Sequence, residues 1–115
     1  MNLPPILAVD VSPDRAVCTI GVPTDLKAFR GHFPVHPILP GVVQIDWVVR
    51  LAGLHLGIDA LSARDFQVKF RNIIRPGAPL SLILQIDRTK NRLSFTYQSG
   101  EVVMSSGQIK LEAKL

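Results

Sequence analysis

The sequence predicts an α+β domain in which an antiparallel β-sheet wraps around one long central helix. Three observations lead there. A proline-free apolar stretch from Gly41 to about Gly57 has the length of a helix. It is preceded by short β-type runs and followed by strand-like segments joined by tight turns. Links that short require antiparallel neighbours. A chain of 115 residues suits one domain over residues 1–115, burying roughly two-thirds of its unfolded surface.

Each element has its own signal. Ile6 to Val22 reads as one or two strands broken at Ser12-Pro13-Asp14, with Ala16-Val17-Cys18-Thr19-Ile20 the stronger β run. Pro23 to Pro40 holds four prolines and Gly31; the residue before each proline is driven towards extended geometry, so this is a shaped loop. In the next stretch Val42, Val43, Ile45, Trp47, Val48, Val49, Leu51, Ala52, Leu54 and Leu56 cover nearly every direction of a helical wheel. That pattern predicts a helix enclosed by protein, with Pro40 near its start and Gly57 near its stop. From Ala63 onward, Phe66, Val68 and Phe70 alternate with Gln67, Lys69 and Arg71, a half-solvated strand. A turn at Arg75-Pro76-Gly77 follows, then strands near 80–86, 93–97 and 102–111, with turns at 87–91 and 99–100. Together they read as a meander that curls around the helix.

Composition excludes several classes. Hydrophobic residues make up 47% and charged residues 19%, with a mean hydropathy of +0.27, which argues for a filled interior and a buried subunit interface. Apolar runs reach only about four residues, far from the roughly 20 of a membrane span, and Met1 to Asp10 lacks a basic leader, so a cytoplasmic protein is expected. A single cysteine, Cys18, closes no intrachain disulfide, has no CxxC partner for zinc, and reads as core filling in a strand. Net charge of +4 favours an acidic partner. Nucleic acid is not expected: aromatics are 6% of residues, and no basic run alternates with rings on which bases would stack.

The segment Gly31-His32-Phe33-Pro34-Val35-His36-Pro37-Ile38-Leu39-Pro40-Gly41-Val42-Val43-Gln44-Ile45-Asp46 carries the chemistry. A proline-rich loop presents His32 and feeds into an apolar helix whose second turn bears Asp46. A carboxylate there is costly unless compensated: either Arg50 pairs with it one turn on, or it faces a cleft where it works. Histidine exchanges protons near neutrality, and a carboxylate can orient or protonate a leaving hydroxyl. Unpaired amides at the helix start, with Gly41 permitting close approach, would stabilise a thioester carbonyl or its enolate.

Gly-His-Phe-Pro, then Pro-x-x-Pro-Gly-Val, then an acid fourteen positions after the histidine resembles the 3-hydroxyacyl-[acyl carrier protein] dehydratases of FabZ and FabA type, which have the hot dog fold. The motif covers about a quarter of the chain, and Val68-Lys69-Phe70-Arg71 with Arg75-Pro76-Gly77 resembles the family's following strand and turn. Pro-Ile-Leu-Pro-Gly-Val-Val-Gln and the short length are most similar to the small ApeI-type dehydratases of aryl polyene synthesis.

The resemblance implies roles. His32 abstracts the proton α to the thioester, Asp46 assists departure of the β-hydroxyl as water, and the Gly41 amide holds the carbonyl beside Phe33, Pro40 and Val42. It implies a homodimer whose sites take the histidine from one subunit and the acid from the other, leaving larger assemblies open. The substrate rides on the phosphopantetheine of an acyl carrier protein, without metal or other cofactor. Lys69, Arg71 and Arg75 are the candidate landing surface for that acidic carrier.

Three positions depart from the pattern. Asp46 replaces the Glu usual in FabZ-type enzymes and matches the FabA type, without implying isomerase activity. Arg50 stands where Gln is common; an Arg four residues from Asp46 would favour the ionised carboxylate, and so orientation of the hydroxyl over proton donation. Trp47 replaces a small residue and either narrows the acyl tunnel or fills the dimer core.

Plainer readings stand beside these. Asp46 can be only Arg50's ion-pair partner, and His32 a loop histidine bonded to backbone. His36 and His55 read as structural or solvent-facing. His32, His36 and Asp46 are not expected to make a metal set, because the i, i+4 histidines lie in a proline-rich loop and not on a helix. The fold also accommodates a hot dog acyl thioesterase or a non-catalytic dehydratase-like subunit.

Overall fold

The computed structural model describes residues 3–25 and 38–112. His32, Phe33 and His36 lie outside the described residues. Among the described residues there are six strands: β1 (Ile6–Ser12), β2 (Arg15–Ile20), β3 (Ala63–Phe70), β4 (Leu80–Asp87), β5 (Arg92–Ser99) and β6 (Val102–Leu111). One α-helix, α1 (Gly41–Leu56), follows β2 after the loop, and a 3-10 turn at Ala60–Ser62 leads into β3.

Period-two patterning produced the predicted strands, and every observed pairing is antiparallel. Asn91 (φ 49°) and Gly100 (φ 59°) supply the left-handed residues in the two hairpin turns that join β4 to β5 and β5 to β6. The order across the sheet is β1-β2-β4-β5-β6-β3. This corrects the expectation of a simple meander: β3 does not lie beside β4 but crosses to the far side of the sheet and pairs with β6. The link from β3 to β4 is long enough to permit that crossing, and no local pattern in the strand encodes its neighbour.

The core lies between the inward rows of the sheet and one side of α1. Ala16, Cys18 and Ile20 of β2, Leu80, Leu82, Leu84 and Ile86 of β4, and Leu93, Phe95 and Tyr97 of β5 are all buried. Val43, Trp47, Val48, Leu51, Ala52 and Leu56 face them from the helix. Each fully buried aliphatic side chain contributes about 1.5–3 kcal/mol relative to exposure. Cys18 is core filling as expected, and burial pushes its thiol above the usual range. Trp47 joins the same core of a single chain.

The helix is not enclosed all round. Val42 and Leu54 are 68% and 67% exposed, and Asp46 and Arg50 lie between them on the same stripe at four-residue spacing. β3 also departs from a half-solvated strand. It is a sheet edge exposed on both faces, with Phe66 and Phe70 about half accessible and a bulge near Asp65 (φ 50°).

Candidate active site

The start of α1 is built from the segment leading into it. Pro40 is extended (φ −62°, ψ 147°) and offers no capping side chain; its carbonyl accepts the amides of Val43 and Gln44. The amides of Gly41 and Val42, the first in the helix, have no intrahelical acceptor, and the dipole at this end favours negative charge. The Leu39 amide donates to Ile74 O at 2.8 Å, tying the approach to the strand β3–β4 link.

Gln44 locks this turn to the sheet. It is only 4% exposed; its Nε2 donates to Leu39 O (3.1 Å), and its Oε1 accepts from Ser105 Oγ (2.7 Å). The Tyr97 hydroxyl donates to the Gln44 carbonyl at 2.7 Å. Burial first, then the charges of Cys18 and Asp46, pushes the Tyr97 phenol well above its ordinary range, so it remains a donor. Sequence reasoning missed this brace. Its signal was a glutamine on the sheet-facing side of an apolar helix, which is tolerable only with partners on both ends of its amide.

Phe70 lies directly on Gly41. A β-carbon at position 41 would stand 2.6 Å from the Phe70 Cζ, so any larger residue there must push the Phe70 ring off the helix start. Phe70, Arg71, Asn72 and Ile73 face Pro40 and Gly41 across a cleft of about 270 Å³. Three hydrogen bonds hold that wall to β6: the amides of Arg71 and Asn72 donate to Met104 O, and Asn72 Nδ2 donates to Val103 O.

Asp46 is one turn further along, and its side chain is 37% exposed. Its Oδ2 lies 3.5 Å from a terminal nitrogen of Arg50; that oxygen is buried and accepts no hydrogen bond. The structure therefore brings Asp46 and Arg50 together, as one sequence reading expected, and leaves the carboxylate partly open to solvent as the other did. It brings Pro40 and Gly41 to the cleft. Asp46 and Val42 are not among the residues lining it. Of the three cations proposed for carrier docking, Arg71 borders the cleft. Lys69 pairs in register with Ser106 and lines a hollow on the sheet with Ser94 and Thr96, while Arg75 sits in the exposed turn before β4.

Comparison with known proteins agrees with this architecture. A family model, ApeI-like, described as ApeI dehydratase, matches residues 8–108. A 3-hydroxyacyl-[acyl-carrier-protein] dehydratase FabZ from Levilactobacillus brevis is 30% identical over 94% of this chain and 83% of that protein. One from Rickettsia massiliae is 27% identical over 96% and 83%. Among solved structures, a chain of the dehydratase heterocomplex ApeI:P from Xenorhabdus doucetiae superimposes with a TM-score of 0.86 at 35% identity, covering 98% of this chain and 100% of that one. Mouse thioesterase superfamily member 2 shares the fold alone, at 12% identity and a TM-score of 0.72 over 93% of this chain and 87% of its own. The sheet wrapped on one helix is thus the hot dog fold, and the chain belongs to the ApeI-like dehydratase family.

Proposed function

We propose that the protein removes water from a 3-hydroxyacyl thioester carried on acyl carrier protein, giving the trans-2-enoyl thioester. The observation that carries this reading is the pairing of an open helix start at Gly41 with a partly exposed carboxylate, Asp46, within a dehydratase-family chain. Abstraction of the α-proton by His32 sends negative charge onto the thioester oxygen, where the Gly41 amide and helix dipole stabilise it. The Cα–Cβ double bond forms as the Cβ–O bond breaks. The departing oxygen takes up the proton that His32 removed and leaves as water, with Asp46 accepting the hydroxyl's hydrogen bond and guiding its exit. The elimination is redox-neutral, so the chemistry calls for no redox cofactor.

Two features support a site shared between subunits. Asp46 is absent from the walls of the Gly41 cleft in its own chain, and β3 presents an unpaired edge flanked by exposed Phe66 and Phe70. A homodimer joined along that edge is the simplest assembly. The likeness to a chain of a dehydratase heterocomplex favours a related subunit as the alternative partner. Arg71, at the rim of the cleft, is the leading cation for contact with an acidic carrier, with Lys69 and Arg75 flanking it. The proposed acyl chains are of fatty-acid or aryl-polyene type, handled in the cytoplasm; the ApeI-like match supports the dehydratase reading on which this rests.

The test is mass spectrometry of 3-hydroxyacyl-loaded carrier protein after incubation with wild type, His32→Ala and Asp46→Asn. Loss of one water with wild type, abolished by His32→Ala, supports dehydration. Free acid and bare carrier would replace it with thioester hydrolysis. An unchanged carrier across several acyl groups would leave a non-catalytic subunit.

A further inference from the structure

Resting on the dehydration reading, we infer that Ser105 is a positioning residue, and that the bulge of β6 on which it sits sets both walls of the Gly41 cleft. The register of β6 against β5 slips by one residue here. Tyr97 pairs with Ser105 but Gln98 with Val103, which leaves Met104 as the extra residue. A bulge bends its strand and re-aims the groups it carries. The Met104 carbonyl accepts the amides of both Arg71 and Asn72, at 2.9 and 3.0 Å, and so fixes the wall that follows Phe70. Its neighbour Ser105 is 1% exposed and donates to Gln44 Oε1 at 2.7 Å, which fixes the helix wall. Two consecutive residues therefore hold opposite sides of one cleft.

The tie reaches the reacting end through Gln44. Its Nε2 donates to Leu39 O, and its backbone amide, like that of Val43, donates to Pro40 O. The peptide joining Pro40 to Gly41 is trans and planar, so its N–H points opposite to its carbonyl. With Pro40 O held inside the first turn, the Gly41 amide is aimed out of the helix start. Tyr97, opposite Ser105 in register, holds the Gln44 carbonyl from the same side. Ser105 thus acts on the thioester carbonyl without meeting it: the side-chain amide that it orients restrains Leu39, and through Leu39 the peptide that carries the Gly41 N–H. A donor whose direction is fixed before charge develops is worth more than one that must turn towards it.

The experiment compares steady-state dehydration of 3-hydroxyacyl carrier protein by wild type, Ser105→Ala, Gln44→Met and the double variant, at a temperature well below every unfolding midpoint. Ser105→Ala is expected to lower kcat roughly tenfold with KM little changed, as loss of a transition-state orientation should. Titration with saturated acyl carrier protein, which has no hydroxyl to lose, is expected to give the wild-type number of binding sites, so that the loss of rate is not a loss of folded protein. In the Gln44→Met background, Ser105→Ala has no further effect, because its route runs through Gln44. Wild-type kcat in Ser105→Ala, a raised KM at unchanged kcat, fewer binding sites in proportion to the lost rate, or an equal additional loss in the Gln44→Met background would overturn the inference alone. Should Gln44→Met fail to fold, Ser105→Ala decides by itself. A wild type that leaves the loaded carrier intact overturns the dehydration reading, and this inference with it.

Discussion

The two ends of α1 are finished in opposite ways. At the C-terminal end Gly57 adopts the left-handed conformation (φ 68°), and Arg88 Nη2 donates to the Leu56 carbonyl at 3.0 Å. The same guanidinium donates to Pro13 O and Asp14 Oδ1, so one side chain ties the helix end to the β1–β2 turn. At the N-terminal end Pro40 supplies no side-chain cap, and the first amides open beside a cleft. Bonds that could close this end are instead spent behind it, where Gln44, Ser105 and Tyr97 hold the turn from its buried side. One end is sealed for stability; the other is rigid in the rear and open in front, which is what a group awaiting a negative charge requires.

That contrast can be broken most severely at Gly41. Gly41→Val drives its side chain into the Phe70 ring and is expected to lower dehydration about a hundredfold, since displacement near 1 Å at a reacting centre has that scale. Steady-state rates measure it, and Phe70→Leu added to the variant should recover part of the loss.

Removing the brace comes next. Gln44→Leu strands the Ser105 hydroxyl and Leu39 carbonyl in the core and is expected to destabilise by about 2–3 kcal/mol, read from urea unfolding. A stability change under 0.5 kcal/mol would show that the network is not a brace.

Tyr97 gives the pH arm of the comparison. Its folded pKa is raised above the ordinary 10.0, so its full contribution to stability is present below that value. It is lost as pH rises from there towards the folded value, because the unfolded chain releases the proton first. Wild type is therefore expected to lose stability with rising alkalinity more steeply than Tyr97→Phe, in unfolding midpoints measured across that range.

The smallest effect belongs to the sealed end. Arg88→Ala removes exposed bonds to Asp14 and Pro13 and a part-buried one to Leu56, and should cost about 1 kcal/mol while leaving turnover unchanged. A large loss of turnover would mean that the two ends are coupled through the helix.

Much of this was legible before any coordinates. The helix from Gly41 to Leu56, both hairpin turns and the alternating rows of β4 and β5 follow from prolines, glycines and hydrophobic period. The Asp46–Arg50 pair follows from four-residue spacing on a helix. The open stripe at Val42 and Leu54 was not legible, because a wheel covered with apolar residues looks the same whether the last face meets this chain, another one or water.

The sequence by itself determined local geometry: where the chain must extend, coil or turn, and which charged groups share a helix face. Only the tertiary structure decided that β3 lies against β6, that Phe70 rests on Gly41, and that Ser105 and Tyr97 reach Gln44. Those contacts join residues dozens of positions apart. Backbone sterics and side-chain period act over a few residues, whereas such partners are selected only when the whole apolar surface is buried at once.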